Sequence, residues 1–313
     1  MRFLVGALVL LALSAIAPMF VHLEYFYFAG FVVLQFIVLA TAWNILGGFA
    51  GYVNFGTGAL FAVGAYSAVA LYKAVALPIG LQILAGAATA GLLGLGVGLL
   101  TLRLRGIFFS IATIAITIIL ETVVTNWTYV GGAKGLPILR PTEIPLHFTN
   151  YTQWLFFVMT GIAIFAVATA RYIQTGWIGR GLRAIRDNEG AAECSGVPTL
   201  KLKLAAATVS GALMGAAGAP FAQYLSFIEP ASAFSLNYAV NALAMPIIGG
   251  TAHWIGPVIG AILLGSVQQI VTVTISSEMN VLVVGVMLVV FVVAAPEGIL
   301  GLWRRYVLKK GDE

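Results

Sequence analysis

The sequence predicts an all-α polytopic membrane protein with about ten transmembrane helices. Of its 313 residues, 61% are hydrophobic and only 9% are charged, whereas soluble domains carry roughly 25% charged residues. The mean hydropathy of +1.02 is too high for a soluble core, and it is typical of chains whose apolar helices cross a bilayer. The 36 glycines fit this class, because small residues let membrane helices pack closely.

Ten apolar segments are predicted to span the membrane, and residues 1–313 form a single transmembrane domain. The eighth segment is short for a span of about 20 residues, so we expect it to be tilted, broken or re-entrant. The first segment resembles a signal peptide, but Pro18 directly after the would-be cleavage site favours a retained helix. The predicted spans are 3–20, 26–46, 54–72, 80–102, 107–127, 153–170, 204–227, 236–249, 255–275 and 279–296.

The distribution of lysine and arginine predicts that both termini lie in the cytoplasm. With that orientation, only Lys73, Lys134 and Arg140 of the 16 basic residues fall outside, and the other 13 fall inside. If the number of spans were wrong, the basic residues would be distributed over both sides of the membrane. The net charge of +5 therefore reflects membrane topology, and we expect no nucleic-acid partner.

A hydrophilic insert at residues 171–203 lies between two apolar spans and is predicted to be cytoplasmic. It holds nine of the 27 charged residues. Its periodicity predicts a helix of about 14 residues from Leu182. One side of this helix would carry Leu182, Ile185, Glu189 and Ala192, and another side an Arg183–Asp187 pair. Gly196 followed by a proline would end this helix. Its candidate functional residues are Leu182, Arg183, Ile185, Arg186, Asp187, Glu189, Ala191, Ala192 and Gly196.

Two interpretations of this helix follow from the residues alone. It is either a docking element for a soluble partner, whose backbone could approach closely at Ala191 and Ala192, or a solvated loop helix that merely satisfies the charge asymmetry of the membrane.

Four groups of motifs occur along the chain. The insert reads GRGLRAIRDNEGAAECSG and leads into KLAAATVSGALMGAAGAPFAQ. The others are FGTGALFAVGAY (55–66), LRLRGIFFSIATIAI with NWTYVGGAKGLP (102–137), and GGTAHWIGPVIGA (249–261). In content and order they resemble the permeases of branched-chain amino-acid ABC importers, specifically the M-type subunit.

The resemblance implies a ten-span permease that forms one half of the transmembrane path in the bacterial inner membrane. It would pair with an H-type permease, with two ATPase subunits beneath and a periplasmic binding protein above, in contact with membrane lipid. The insert would supply a coupling helix that fits a cleft on the ATPase. The family motif has glutamate, two alanines, three free residues and glycine, whereas here Gly190 precedes Ala191. Whether Glu189, one position earlier, has the usual role stays open, and Ala192→Arg is expected to uncouple ATP hydrolysis from uptake.

The sequence contains no GxxxxGK[ST] phosphate loop, so we expect no ATPase site in this chain. ATP and magnesium would bind to the partner ATPases, and this chain would bind no cofactor. One cysteine and three scattered histidines make a metal site unexpected, and we find no catalytic constellation.

Four polar residues in the spans are candidates for a translocation path: Asn44, Asn54, Glu121 and Asn241. Glu121 could meet a substrate ammonium or reach the outer headgroups, because a charge at membrane depth is usually functional. The three asparagines could line a path or hydrogen-bond between helices. Residues 40–59 and 242–261 share a faint similarity, each with a Gly-Gly pair predicted to lie in a loop, which would fit an internal repeat.

The leading hypothesis is thus an ABC importer subunit for branched-chain or related amino acids. The alternatives are a permease of the same family for urea, amides or another small solute, and an ion-coupled secondary carrier. A membrane-embedded enzyme is the weakest hypothesis.

Overall fold

The computed structural model of the protein describes residues 2–21, 23–75, 77–104, 106–138, 148–274 and 279–309. Within these ranges ten helical stretches are long and apolar enough to cross a membrane, which confirms the predicted fold class. Two of these stretches, Pro230–Gly249 and Met279–Trp303, each extend over two successive helices. The helices are α1 (Arg2–Phe20), α2 (Glu24–Ala50), α3 (Thr57–Val75), α4 (Ile79–Thr101), α5 (Ile107–Thr125), α6 (Tyr151–Thr175), α7 (Trp177–Cys194), α8 (Thr199–Leu225), α9 (Pro230–Ala233), α10 (Leu236–Gly249), α11 (Gly256–Thr274), α12 (Met279–Ala294) and α13 (Gly298–Lys309).

The bundle has two ends, which we name by the position of α7. The insert end carries α7, and the far end carries the connections on the opposite side. At the far end, β1 (Leu136–Pro137) pairs antiparallel with β2 (Phe227–Ile228). The sequence did not predict these strands or the terminal helix α13. Arg105, Arg140 and Lys310, which contribute to the predicted charge asymmetry, lie outside the described residues.

Helices α2 and α8 form the centre of the bundle. In the 18-residue apolar stretch of each of these helices, 72% of the residues are buried, whereas the corresponding fractions are 6% for α1 and 11% for the last span. The exposure of α1 and α12 follows from their composition, since their described exposed residues are all apolar. A membrane solvates such surfaces without cost.

Helices α3, α4 and α8 cross at a point where glycines replace side chains. A Cβ atom built on Gly86 of α4 would lie 2.8 Å from the Gly215 carbonyl oxygen of α8 and 3.0 Å from that of Gly64 in α3. A Cβ on Gly64 would lie 2.2 Å from the same Gly215 oxygen. Here the helices touch backbone to backbone, so any side chain at these positions would push them apart.

The eighth span is broken, which is one of the three alternatives predicted for it. Helix α10 has 14 residues and is therefore about 21 Å long, shorter than the roughly 30 Å hydrocarbon core. The short helix α9 precedes it, separated by Phe234 and Ser235. Ser235 caps α10 by accepting a hydrogen bond from the Asn237 amide at 3.3 Å.

The prediction that both Gly-Gly pairs lie in loops is wrong for the first pair. Gly47 and Gly48 lie inside the last turn of α2, whereas Gly249 ends α10 and Gly250 follows it. The two segments nevertheless meet, because a Cβ on Gly48 would lie 2.9 Å from the Thr251 carbonyl oxygen. The close approach, and not a loop conformation, accounts for glycine at position 48. The internal repeat itself stays a prediction.

Candidate functional site at the insert end

The insert folds as two helical pieces. Helix α7 begins at Trp177, five residues before the predicted start, and ends at Cys194. Asn188 interrupts it with extended backbone angles of φ −162° and ψ 107°. Its side-chain oxygen accepts a hydrogen bond from the Ala191 amide at 3.0 Å, so Asn188 caps a second piece, residues 189–194. The predicted single helix is therefore wrong, because an asparagine cap competes with the helical backbone at this position.

The predicted stop at Gly196 is where the second piece ends. The Val197 amide donates to the Ala192 carbonyl at 3.0 Å, and the Gly196 amide donates to the Glu193 carbonyl at 2.9 Å. Gly196 has φ +80°, a conformation that glycine adopts without strain. This arrangement is a Schellman motif, which holds the end of the insert in one geometry before α8 begins.

One face of the insert packs against its own bundle. Leu182 and Ile185 are buried, as their predicted common face requires, and Ala192 is buried with them at 5% exposure. Ala192 is therefore not available to a partner's backbone, and Ala192→Arg would disturb the chain's own packing. The predicted Arg183–Asp187 pair is also wrong, since Asp187 instead lies 3.4 Å from the Nε of Arg186.

Glu189 points into the bundle and joins a buried polar network. Its Oε1 accepts a hydrogen bond from the Lys203 ammonium at 2.6 Å, and its Oε2 accepts one from the Tyr52 hydroxyl at 2.7 Å. The side chains of Lys203 and Glu189 are only 4% and 13% exposed. Lys203 also donates to the Leu102 carbonyl at 2.9 Å and contacts the Tyr52 hydroxyl at 3.1 Å. We call Glu189, Tyr52, Lys203 and the Leu102 carbonyl the Glu189 network.

The Glu189 network connects the insert to the ends of three spans. Tyr52 lies just after α2, Leu102 directly follows α4, and Lys203 lies in the first turns of α8. The ammonium at the Leu102 carbonyl is favourable because the carbonyl end of a helix carries partial negative charge. A displacement of Glu189 would therefore act on α2, α4 and α8 together.

Arg186 makes a second connection to α2. Its Nη1 donates to the Gly48 carbonyl at 3.2 Å, close to the carbonyl end of that helix, where a cation is favoured. Gly51, directly after α2, leaves room for the Arg186 side chain, because a Cβ there would lie 2.9 Å from its Cγ.

The other side of the second piece is exposed and built mostly from small residues. We call it the docking face, and it consists of Gly190, Ala191, Cys194, Ser195 and Gly196. Such a surface lets another protein's backbone approach closely. Behind it lies the Glu189 network, so the exposed surface is supported by buried and charged contacts.

Among the described residues, the cavity beside Asn54 is lined by none of the other three candidate path residues. Asn44 donates to the Thr251 carbonyl at 3.1 Å, and Asn54 accepts from the Gly56 amide at 2.7 Å. Asn241 accepts from Gln268 at 2.7 Å, which joins α10 to α11. Glu121 is half-buried on the largely exposed α5. Of these contacts, that of Asn241 is the helix-to-helix kind that was the predicted alternative, whereas Asn44 bonds a turn and Asn54 bonds its own connecting segment.

Asn54 nevertheless belongs to a non-helical segment, residues 51–56 between α2 and α3. Its backbone groups find partners on neighbouring helices: Ser110 donates to the Val53 carbonyl at 2.8 Å, and the Phe55 amide donates to the Thr113 hydroxyl at 3.1 Å. Non-helical backbone is tolerated in a membrane only where such partners exist or water reaches it. A cavity of about 20 Å³ lies beside Asn54 and Thr113, which is room for about one water molecule.

Sequence reasoning missed Tyr52 and Lys203. The signal for Lys203 was its phase on α8, since Thr199, Leu202, Ala206 and Ser210 lie on the same buried face. A lysine within such a face needs a counter-charge. Also missed was a buried chain at the far end, in which Tyr151 donates to Gln223 and Gln223 donates to Gln82 at 2.9 Å.

Comparison of the amino-acid sequence with known proteins shows a family to which this chain is similar. The sequence profile described as "Branched-chain amino acid transport system / permease component" matches residues 26–292. Over 306 residues the chain is 26% identical to the high-affinity branched-chain amino acid transport system permease protein LivM of Salmonella typhimurium, an alignment that covers 88% of this chain and 70% of that protein.

Two further relatives agree. The protein LivM of Escherichia coli is 26% identical over 301 residues, with the same coverage. The probable branched-chain amino acid transport permease protein LivH of Methanocaldococcus jannaschii is 28% identical over 212 residues, or 62% of this chain and 64% of that one. No solved structure matched significantly.

The ten apolar helical stretches and a profile match over most of the length lead to one conclusion: this chain belongs to the permease components of branched-chain amino acid ABC transporters.

Proposed function

We propose that this permease is one of two transmembrane subunits of an ATP-driven importer for branched-chain or related amino acids in a bacterial inner membrane. A sister permease of the H type completes the path, two ATPase subunits bind the insert end, and a periplasmic binding protein delivers cargo at the far end. The observation that carries this proposal is the Glu189 network, which ties an exposed docking face to the ends of α2, α4 and α8.

The mechanism requires only that each ligand favours one state of the path. ATP binding by the partner ATPases moves the docking face, and the Glu189 network passes that displacement to the spans. The binding protein then releases cargo into the outward-facing path, and hydrolysis returns the path to its first state. Each step is driven by the difference in affinity of a ligand for the two states.

Placing an arginine on the docking face tests the ATPase contact. Because Ala191 is exposed, Ala191→Arg should leave folding intact, but its side chain would hold the partner away. We expect uptake by the assembled transporter to fall at least tenfold, which corresponds to a loss of about 1.4 kcal/mol of coupling. Uptake and ATP hydrolysis are measured together in proteoliposomes.

Arg180→Ala serves as a matched control, because Arg180 is exposed on the insert but lies outside the docking face. It should support normal uptake. Normal uptake by Ala191→Arg, with correctly assembled subunits, would contradict the role of the docking face.

Reconstitution decides between the importer and an ion-coupled carrier. Proteoliposomes holding this chain alone under a proton or sodium gradient should accumulate no leucine, isoleucine or valine. Adding the sister permease, the ATPases, the binding protein and ATP should produce uptake. Gradient-driven uptake by the single chain would reject the importer, whereas ATP-driven uptake of urea or amides alone would keep the mechanism and change the cargo.

Cys194 provides a test of orientation. It is the single cysteine of the sequence, and it is exposed on the docking face. A membrane-impermeant maleimide should label it in inside-out vesicles and not in right-side-out vesicles. The opposite pattern would place the insert outside the cell and would remove any contact with cytosolic ATPases.

A further inference from the structure

An apolar groove of about 620 Å³ runs along the first helix of the bundle. It lies between α1, α2, α6 and α11, and its walls include Leu10, Leu13, Ile37, Val167 and Ile262. This groove belongs neither to the docking face nor to the candidate path residues.

The groove has the length and the chemistry of a site for an acyl chain. Along α1 it extends from Phe3 to Ala17, about 21 Å at 1.5 Å per residue, which is most of the roughly 30 Å hydrocarbon core. The hydroxyls of Ser14 and Thr160 in its walls donate to their own helices, to Leu11 at 2.8 Å and Phe156 at 2.9 Å. These hydroxyls are thus not offered as donors to a polar occupant.

The positively charged side chain of Arg171 lies at the insert end of the groove. The guanidinium carbon of Arg171 lies 4.6 Å from the ring centre of Phe3 and 5.6 Å from that of Trp254, and both aromatic residues line the groove. Among the described residues, the ion pairs of the structure do not involve Arg171. The two rings hold the guanidinium in place by cation–π contact, while its five N–H donors match the geometry of a phosphate.

We propose that this groove binds one anionic phospholipid, with its phosphate at Arg171 and one acyl chain between α1 and the body of the bundle. The apolar walls alone would accept any lipid, and the charge at the mouth selects an anionic headgroup. Basic residues beside a membrane favour anionic lipid in the same way.

The lipid would also explain how α1 stays attached. Only 6% of the residues in the 18-residue apolar stretch of α1 are buried, and the main neighbour of α1 is α6. An acyl chain in the groove supplies the missing packing between α1 and α11, so the lipid acts as a part of the bundle.

Native mass spectrometry of the purified full chain tests the proposal. The detergent-solubilised protein is titrated with phosphatidylglycerol or phosphatidylcholine of identical acyl chains, and bound lipids are counted. We expect one tight phosphatidylglycerol, retained at least tenfold better than phosphatidylcholine. Arg171→Gln should bring the two lipids to equal binding. Arg180→Gln, which removes an exposed arginine of the insert outside the groove, should leave the preference unchanged.

A second variant keeps the proposal open to rejection if Arg171→Gln does not fold. Leu10→Trp fills the groove from α1 and should abolish tight binding of both lipids while Arg171 remains. Equal binding of the two lipids by the wild-type chain would overturn the proposal. So would phosphatidylglycerol binding that survives both substitutions, or cross-linking that places a helix of a partner subunit in the groove.

Discussion

Glu189→Gln is expected to destabilise the protein by about 3–5 kcal/mol, because it leaves the ammonium of Lys203 buried without its counter-charge. Lys203 is 4% exposed and lies 2.6 Å from the Glu189 carboxylate. Its other hydrogen-bond acceptors, the Leu102 carbonyl and the Tyr52 hydroxyl, are neutral. The purified variant should unfold at a lower temperature than the wild type in a fluorescence-monitored melt, and the assembled transporter should lose uptake.

The double variant Glu189→Gln/Lys203→Met separates the two roles of this pair. Removing both charges should restore most of the thermal stability, because a neutral pair no longer places an isolated charge in the interior. Uptake should stay low, since the link between the docking face and α8 is missing. Glu193→Gln is the control: its carboxylate contacts Thr199 at 2.8 Å but is on an exposed residue, and we expect a change within about 1 kcal/mol. If Glu189→Gln melts like the control, the Glu189 network does not hold the insert.

Gly86→Leu is expected to remove most folded protein from the membrane. A Cβ at this position would lie 2.8 Å from the carbonyl oxygen of Gly215, and the obstacle is backbone on another helix. Overpacking against movable side chains costs about 1–3 kcal/mol, so we expect a larger loss here. The measurement is the amount of monodisperse protein recovered by size-exclusion chromatography of a fluorescent fusion.

Gly96→Leu provides the matched control on the same helix. No atom lies within 4 Å of a Cβ built on Gly96, and leucine is a better helix former than glycine by roughly 1 kcal/mol. Its yield should equal or exceed that of the wild type. Equal yields of the two variants would show that α3, α4 and α8 do not cross as closely as described.

The sequence was sufficient to predict the spans, because hydrophobicity and length decide them. The helix α10 has the predicted bounds 236–249, and the other span ends differ from the helices by at most five residues, as at Thr175. The short eighth span could be recognised, since 14 residues cannot cross a bilayer upright. Helix α13 was missed because its amphipathic pattern is short and follows an apolar span directly.

The site was harder to predict, because it depends on which face of a short helix meets the bundle. Periodicity correctly grouped Leu182 with Ile185, but it could not reveal the break at Asn188, which a single side-chain cap produces. The pairing of Glu189 with Lys203 joins residues on two helices separated by the turn at Gly196, and no helical spacing encodes it. The orientation of the termini and the roles of the path residues stay predictions.

The glycine contacts among α3, α4 and α8 limit how this permease can change shape. Helices that meet through interlocking side chains can slide by exchanging rotamers, but these helices meet through main-chain atoms at Gly64, Gly86 and Gly215. Separating them would open a gap that no side chain could fill. We therefore expect the three to travel as a single rigid body during transport. Lys203 belongs to α8 and donates to the carbonyl of Leu102, which directly follows α4. A small movement of Glu189 would therefore be applied at one end of this rigid body, where a small force turns the body most effectively.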